Sequence, residues 1–388
     1  MTDELGIESL YGWMRDIRHD LHAHPEIAFE EVRTAERVAR ELRGMGVACV
    51  TGIGGTGVVA TIVGEPGAGA IGLRADMDAL PIEEANDFAH RSRHPGRFHG
   101  CGHDGHTTML LGAARVLARH RRFRGTVHLI FQPAEEGAGG APAMIADGLF
   151  ERFPVSAVYG MHNSPLMPAG TFATRTGPML AAVRKFDVVV TGRGGHGAFP
   201  HLCADPIIAA SAFVQALQPV VSRRLDPLAP AVLTVSMFKA GDAYNVIPDT
   251  ATLGGAIRYF DAEAGERLQR EMVRVAEGIA AAHDASIGIR FAEDYYPPLV
   301  NTPAETALAL EAATRAGGVA ADPGAPMMMG SEDFAWMLRA KPGCFMSIGN
   351  GDGPGSCMVH DARYDFNDGI LTAGVRYWVR LVETALPL

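Results

Sequence analysis

Cys101, His103 and His106 lie between glycines in the run Cys101-Gly102-His103-Asp104-Gly105-His106, and helical periodicity follows at once. Thiolate and imidazole suit zinc and its first-row neighbours, and the glycines let the backbone bend until side chains two apart converge on one ion. A Cys-x-His pair alone is as much the mark of packing. Three further clusters of ligand-type residues each follow an apolar, strand-like run: Gln132-Pro133-Ala134-Glu135-Glu136, Tyr159-Gly160-Met161-His162-Asn163 and Met358-Val359-His360-Asp361. Adjacent glutamates in an extended segment project to opposite faces, so one of Glu135 and Glu136 is expected to bind metal while the other stands off. A carboxylate beside a metal-activated water is the arrangement for a general base. With Glu136 as the binder, the candidate ligands are Cys101, His103, Glu136, His162 and His360. That set exceeds one tetrahedral zinc and fits two ions if one group bridges, which a thiolate can do. Structural zinc sites gather their ligands in short Cys-rich spacings, whereas these are spread over most of the chain and point to a catalytic centre. Cys101 as a nucleophile with His103 as its base is the poorer reading, because two residues apart in a loop is poor geometry for that pair.

The elements that must position these groups read as an α/β fold. Leu10, Trp13, Met14, Ile17 and Leu21 form an i, i+3, i+4 stripe that predicts a helix ending before His24-Pro25, with His22 and His24 as surface histidines lacking carboxylate neighbours. A second helix is expected over Thr34 to Arg43, then strands at Val47 to Val50, Gly57 to Val63 and Ala70 to Leu73. The last of these leads to Asp76 and Asp78, two carboxylates on one face of a strand end or in a solvated turn. A helix from Gly105 to His120 and strands over Thr126 to Phe131 and Val155 to Tyr159 follow. Strands alternating with helices, with chemistry at the strand ends, predict an open α/β sheet with its ligands at the carboxyl edge.

From about Lys185 to Tyr295 the order changes to strand Lys185 to Thr191, helix Asp205 to Val221, strand Ala231 to Phe238, strand Thr250 to Tyr259, helix Ala262 to His283 and strand Ser286 to Phe291. That β-α-β-β-α-β order predicts an inserted ferredoxin-like domain. Gly192 to Gly197 matches G-x-G-x-x-G in form, but Pro200 and His201 intervene before any helix, so the run is read as a flexible presenter of His196 and not as a dinucleotide fingerprint. The α/β character resumes with helices Pro303 to Ala316 and Glu332 to Arg339, strand Cys344 to Ile348 and a final helix from near Asp368. The expected domains are therefore 1–184 with 296–388, interrupted by 185–295.

At 388 residues, 47% apolar and 20% charged, the chain has the make-up of a folded protein with two sizeable cores. A formal charge of −10 argues against a nucleic-acid partner, and no run of eighteen apolar residues suggests a membrane span. The acidic start Met1-Thr2-Asp3-Glu4-Leu5 has no apolar signal core, which leads to the expectation of a cytoplasmic enzyme. Five scattered cysteines are not a disulfide framework.

Arg74-Ala75-Asp76-Met77-Asp78-Ala79-Leu80-Pro81, Cys101 to His106, Gln132 to Glu136, Gly160 to Asn163, Gly194 to His201, Asn245-Val246-Ile247-Pro248, Gly330 to Phe334, and His360 followed by Tyr364-Asp365-Phe366-Asn367-Asp368 together resemble metallopeptidase family twenty. The resemblance is to its amidohydrolase branch of hippurate hydrolases, N-acyl amino acid amidohydrolases and auxin-conjugate hydrolases. It implies two divalent metal ions per subunit, of which Zn, Mn, Co and Ni all suit the ligand mixture. It also implies Cys101 as the bridge, His103, Glu136, His162 and His360 completing the ligands, and Glu135 as base. The inserted domain would be a dimerisation lid whose His196 reaches the neighbouring subunit's site in a homodimer or higher homo-oligomer. Asn245 and Arg258 would contact a small N-acyl amino acid substrate, with a dipeptide or an N-acetylated intermediate of the diaminopimelate type as the alternative. Carboxypeptidase-like relatives carry a ligating His where Asp76 stands and a bridging Asp where Cys101 stands, so Asp78 is expected to orient an imidazole from behind. The run Met327-Met328-Met329 suits either an adaptable acyl pocket or plain core.

Overall fold

The apolar stripe near the N-terminus forms helix α1 over Tyr11–Ala23, and Met14, Ile17 and Leu21 are fully buried. Removing each of these side chains from water is worth about 1.5–3 kcal/mol. Helix α2 covers Val32–Gly44. Strands β1 (Ala48–Ile53), β2 (Gly57–Val63) and β3 (Glu65–Asp76) then enter one sheet, with α3 over His103–His120 and β4 over Arg124–Gln132. The sheet is completed by β5 (Ala157–Ser164), β6 (Phe172–Ala173) and the strand Gly343–Gly349. This computed structural model describes residues 5–293, 295–317, 320–351 and 357–388.

The seven strands run in the order β1-β2-β4-β3-β5, then Gly343–Gly349, then β6. β4, β3, β5 and Gly343–Gly349 are mutually parallel, while β2 is antiparallel to β4 and β6 to Gly343–Gly349. Parallel strands buried on both faces need near-continuous apolar runs. Val127, Leu129, Ile130 and Phe131 of β4 supply one, each at most 1% exposed. Because the four central strands point the same way, the chain following β3 and β4 and the last residues of β5 gather at one edge. Asp76, the two glutamates and His162 all belong to that edge.

The chain forms two compact units, the first taking everything up to Met179 together with Val300–Pro326 and Asp333–Leu388. The second is Leu180–Leu299 with Met327–Glu332. Its sheet holds the strands Ala231–Ala240, Thr250–Tyr259, Ala182–Thr191 and Ser286–Phe291 in that spatial order, all antiparallel to their neighbours. Helices Pro206–Arg224 and Ala262–Ala282 join them, the strand order of a β-α-β-β-α-β unit. Asp205 and Asp261 cap these helices by accepting from the backbone N–H of Ile207 and Ala264. Met327–Glu332 belongs to the second unit through backbone bonds: Ala181 N–H donates to Met328 O at 3.1 Å and to Gly330 O at 2.9 Å. Met327 is 39% exposed and Met328 and Met329 are half-buried, so this run is not plain core. Among the described residues no helix is long and apolar enough to cross a membrane.

His22 differs from expectation. It is fully buried, and its Nδ1 donates to Asp104 at 2.8 Å and its Nε2 to Glu84 at 3.2 Å. Burial pulls its pKa down, but the two carboxylates outweigh burial and push it up to about 9. A helix end cannot reveal partners 82 and 62 residues away in sequence.

Candidate metal centre

Gly102, with φ 90°, delivers Cys101 and His103 to the site and caps α3. A Cβ at that position would lie 2.4 Å from Asn163 Nδ2 and 2.7 Å from the Tyr364 hydroxyl, so the turn requires glycine on both counts. Cys101 and His103 therefore stand on either side of a left-handed residue, at the N-terminus of α3.

His103 is held from behind. Its Nδ1 donates to Asp78 Oδ1 at 3.2 Å, which fixes the orientation of the ring. Burial lowers its pKa, but Asp76, Asp78 and Glu136 outweigh burial and push it up to about 10, so a cation would take Nε2 by displacing its proton. That Nε2 is buried and has no hydrogen-bond partner among the described residues. Orphaned buried nitrogens are costly, and the carboxylates of Asp76 at 3.8 Å and Glu136 at 4.0 Å are its ionisable neighbours. Asp78 Oδ2 also accepts from the Glu136 backbone N–H at 2.8 Å, so one buried carboxylate orients two candidate ligands. Asp78→Ala is expected to weaken metal binding by ~10–100-fold, with activity recovering at high metal concentration, as a metal titration of the variant would read.

His162 is prepared in the same way, its Nδ1 donating to Asn163 O at 2.7 Å and its Nε2 standing 3.3 Å from Cys101 Sγ. One donor atom each from Cys101, Glu136 and His360 lie within 4.8 Å of one another, as do those of His103, Glu135 and Glu136. His360 Nε2 is 3.1 Å from Glu136 Oε1, and the His360 backbone N–H donates to Gly100 O at 2.7 Å beside Cys101. The cradle thus joins ligand-type atoms from the Cys101 loop, α3, the turn after β4, β5 and the segment before the C-terminal helix. Its mixture of thiol, imidazole and carboxylate suits a pair of divalent first-row ions.

The two glutamates do not lie in an extended segment. The chain turns over residues 135–138 after Ala134, whose φ is 53°. The turn lets both carboxylates reach the neighbourhood of His103, which strand alternation would forbid. They are still distinguished by environment. Glu136 faces His360 and His103, whereas Glu135 Oε1 accepts from the Asp333 N–H at 3.3 Å. Burial raises the Glu136 carboxyl, yet His360 and His103 outweigh it and lower its pKa.

His106, part of the Cys101 run but outside the expected ligand set, and Asp333, to which the sequence assigns no role, both belong to the site. His106 Nδ1 donates to Asp76 at 2.6 Å, and its Nε2 accepts from the Asn163 backbone N–H at 3.0 Å. Burial pulls its pKa down to about 4, so the neutral ring is the one that accepts that bond. Its donor atom lies within 4.8 Å of those of Asp76, His103 and His162, but its lone pair is already engaged. Asp76 itself is wholly buried, not solvated. Burial raises its carboxyl, and His103, Arg74 and His106 reverse that and hold it well below the usual range. Arg74 Nη1 donates to Asp76 at 2.7 Å, Nη2 to Asp333 at 3.2 Å and Nε to Gln132 at 2.8 Å, tying the floor of the site together.

The Cys101 thiol is pushed well above its ordinary pKa by burial and by the charges of Glu136, Glu135 and Asp76. Such a thiol is a poor nucleophile, whereas a cation in its place would draw the proton off.

In the second unit, His196 is not on a free loop. It sits in the two-residue strand Gly195–His196, paired antiparallel with Val246–Ile247, and its exposed ring accepts from Ala198 N–H at 3.1 Å through Nδ1. Asn245 is exposed next to that pairing, its carbonyl accepting from Gly197 N–H at 2.9 Å. Arg258 is half-buried, its Nη1 donating to Met329 O at 2.6 Å.

Comparison with known proteins identifies the family of the chain. The sequence pattern of peptidase family M20/M25/M40 matches residues 72–384. A hippurate hydrolase of Campylobacter jejuni is 39% identical over 376 residues, covering 97% of each chain. An N-acetyl-L-cysteine deacetylase of Bacillus subtilis is 41% identical over 349 residues, 90% of this chain and 83% of the relative. The crystal structure of a dinuclear metal binding peptidase of the M20 family, also from Bacillus subtilis, superposes with a TM-score of 0.85 at 34% identity, covering 97% of this chain and 98% of its own. The chain belongs to peptidase family M20/M25/M40.

Proposed function

We propose that the protein is a metal-dependent amidohydrolase that cleaves the amide bond joining an acyl group to an amino acid. The observation that carries this reading is the buried Nε2 of His103, without a hydrogen-bond partner among the described residues and oriented by Asp78 into a cradle of thiol, imidazole and carboxylate. The similarity to a hippurate hydrolase and an N-acetyl-L-cysteine deacetylase supports the substrate class. Cys101, His103, Glu136, His162 and His360 would hold two divalent ions, Zn, Mn, Co or Ni, with Cys101 shared between them. When bound, the metal pair supplies Lewis acidity toward a water molecule and the scissile carbonyl.

Glu135 is the general base. Its carboxylate is anchored to the Asp333 backbone N–H, close enough to the cradle to take a proton from the attacking water and hand it to the leaving amine. His196 is the donor to the carbonyl oxygen as it becomes an oxyanion, and Asn245 and Arg258 hold the substrate. An assay panel of N-acetyl, N-benzoyl and indoleacetyl amino acids beside dipeptides, run with metal-reconstituted protein, tests the substrate class. Faster hydrolysis of dipeptides than of every N-acyl amino acid would replace it.

The second unit is the lid and the dimer contact, and His196 serves the partner's site. A mixed dimer of one His196→Ala chain and one Glu135→Gln chain then has one site lacking both groups and one lacking neither. Two inactive parents are expected to give up to about half of wild-type activity per mixed dimer. Verified heterodimers with no recovered activity would confine His196 to its own chain.

A further inference from the structure

A buried polar cluster beside the cradle centres on Arg18 of α1, which is 1% exposed. Its Nε donates to Asp368 Oδ1 and its Nη1 to Asp365 Oδ1, both at 2.7 Å, and Nη1 lies 3.7 Å from Asp104 Oδ2. Asp104 adjoins His103 at the start of α3, and His22 on the next turn of α1 donates to the same Asp104. Asp365 and Asp368 belong to the segment that carries His360. A buried guanidinium ringed by three carboxylates costs much to assemble, and its planar fork fixes the directions in which those carboxylates sit.

The His360 segment has other ties as well: Ala362 O accepts from Ala85 N–H at 2.8 Å, Tyr364 O from Asn86 Nδ2 at 3.1 Å and Asp365 O from Asn350 Nδ2 at 3.2 Å, while His90 Nε2 and His19 Nε2 lie 3.2 Å from Asp365 and 2.7 Å from Asp368. The Tyr364 hydroxyl donates to Asn163 Oδ1 at 2.7 Å, the Asn367 backbone N–H donates to Asn350 Oδ1 at 2.9 Å, and the His360 N–H reaches Gly100 O. His360 itself is half exposed and has a positive φ of 71°, so little packing holds its ring. Its placement against Cys101 and Glu136 must come from the segment behind it.

We infer that Arg18 is a positioning residue for the metal centre: it clamps the His360 segment to the start of α3 and so sets the spacing between the His360 and His103 sides of the cradle. This rests on the reading of those two histidines as metal ligands. N-terminal helix α1, which reads in sequence as a purely structural element, is on this view part of what gives the centre its second ion.

Co²⁺ titration of the metal-stripped full chain, followed by calorimetry and by the visible Co²⁺ spectrum, tests the inference. Wild type is expected to bind two ions. Arg18→Met is expected to bind one of them ~10–100-fold more weakly, the usual effect of removing a group that orients a ligand. Excess Co²⁺ should restore kcat with KM unchanged, which a merely structural role would not produce. Arg18→Lys, which keeps the charge but not the fork, should show the same weakening to a smaller degree and carries the test if Arg18→Met does not fold. Arg37→Met is the control, because Arg37 of α2 pairs with Asp20 of α1 at 2.6 Å and not with the His360 segment. Wild-type affinity for both ions in the Arg18 variants, or equal weakening in Arg37→Met, would overturn the inference while leaving the metal centre intact. Absence of Co²⁺ binding by the wild type would instead strike at the metal centre itself.

Discussion

Glu135→Gln is expected to retain its metal and to lower turnover by roughly 10²–10⁴, the usual worth of a positioned general base. The amide keeps the shape of the side chain and can still accept from the Asp333 N–H, but it cannot take up a proton. Glu136→Gln is expected to behave differently. Its carboxylate faces His360 at 3.1 Å and His103 at 4.0 Å, so the loss falls first on metal content and only through that on rate. Metal analysis of the two purified variants beside their kcat values separates the roles. Loss of metal in Glu135→Gln with retention in Glu136→Gln would reverse the assignment.

The second large effect is expected at Cys101. If its sulfur is shared by both ions, Cys101→Ala should release more metal than the loss of any ligand serving one ion, and activity should fall to background. Cys101→Ser is expected to fall nearly as far, because a hydroxyl gives up its proton to a cation far less readily than a thiol does. Two ions per chain in Cys101→Ala, measured after dialysis against buffered metal, would remove the thiolate from the bridge. The high pKa imposed on this thiol by burial and by Glu136, Glu135 and Asp76 also separates metal chemistry from cysteine nucleophile chemistry. An alkylating reagent should modify the metal-free protein slowly.

Much of the fold is legible in the sequence because burial writes a period into it. Leu10, Trp13, Met14, Ile17 and Leu21 carry the i, i+3, i+4 stripe of α1, and Met14, Ile17 and Leu21 are the residues it buries. Glu135, Glu136 and His162 are legible because they stand at the ends of apolar strand-like runs, and Cys101 and His103 because they lie between glycines ahead of a helix. What resists reading depends on tertiary partners or on single backbone angles. His22 looks like a surface residue because Asp104 and Glu84 come from other parts of the chain. That Asp78 orients His103 depends on how the β3 end meets α3, and no local pattern encodes it. The turn at Glu135 and Glu136 hangs on the positive φ of Ala134, a conformation that alanine rarely adopts and that nothing in the sequence flags. Met327–Glu332 associates with the second unit through main-chain bonds, which leave no mark on side-chain pattern.

The central claim is that Cys101, His103, Glu136, His162 and His360 hold metal that amide hydrolysis requires. The direct measurement is the rate of N-benzoylglycine or N-acetyl amino acid hydrolysis by protein stripped with a chelator, verified metal-free by elemental analysis, and then titrated with a divalent ion. Activity is predicted to vanish on stripping and to return as the ions are restored, reaching its plateau near two per chain. Full activity in the verified metal-free protein would contradict the account.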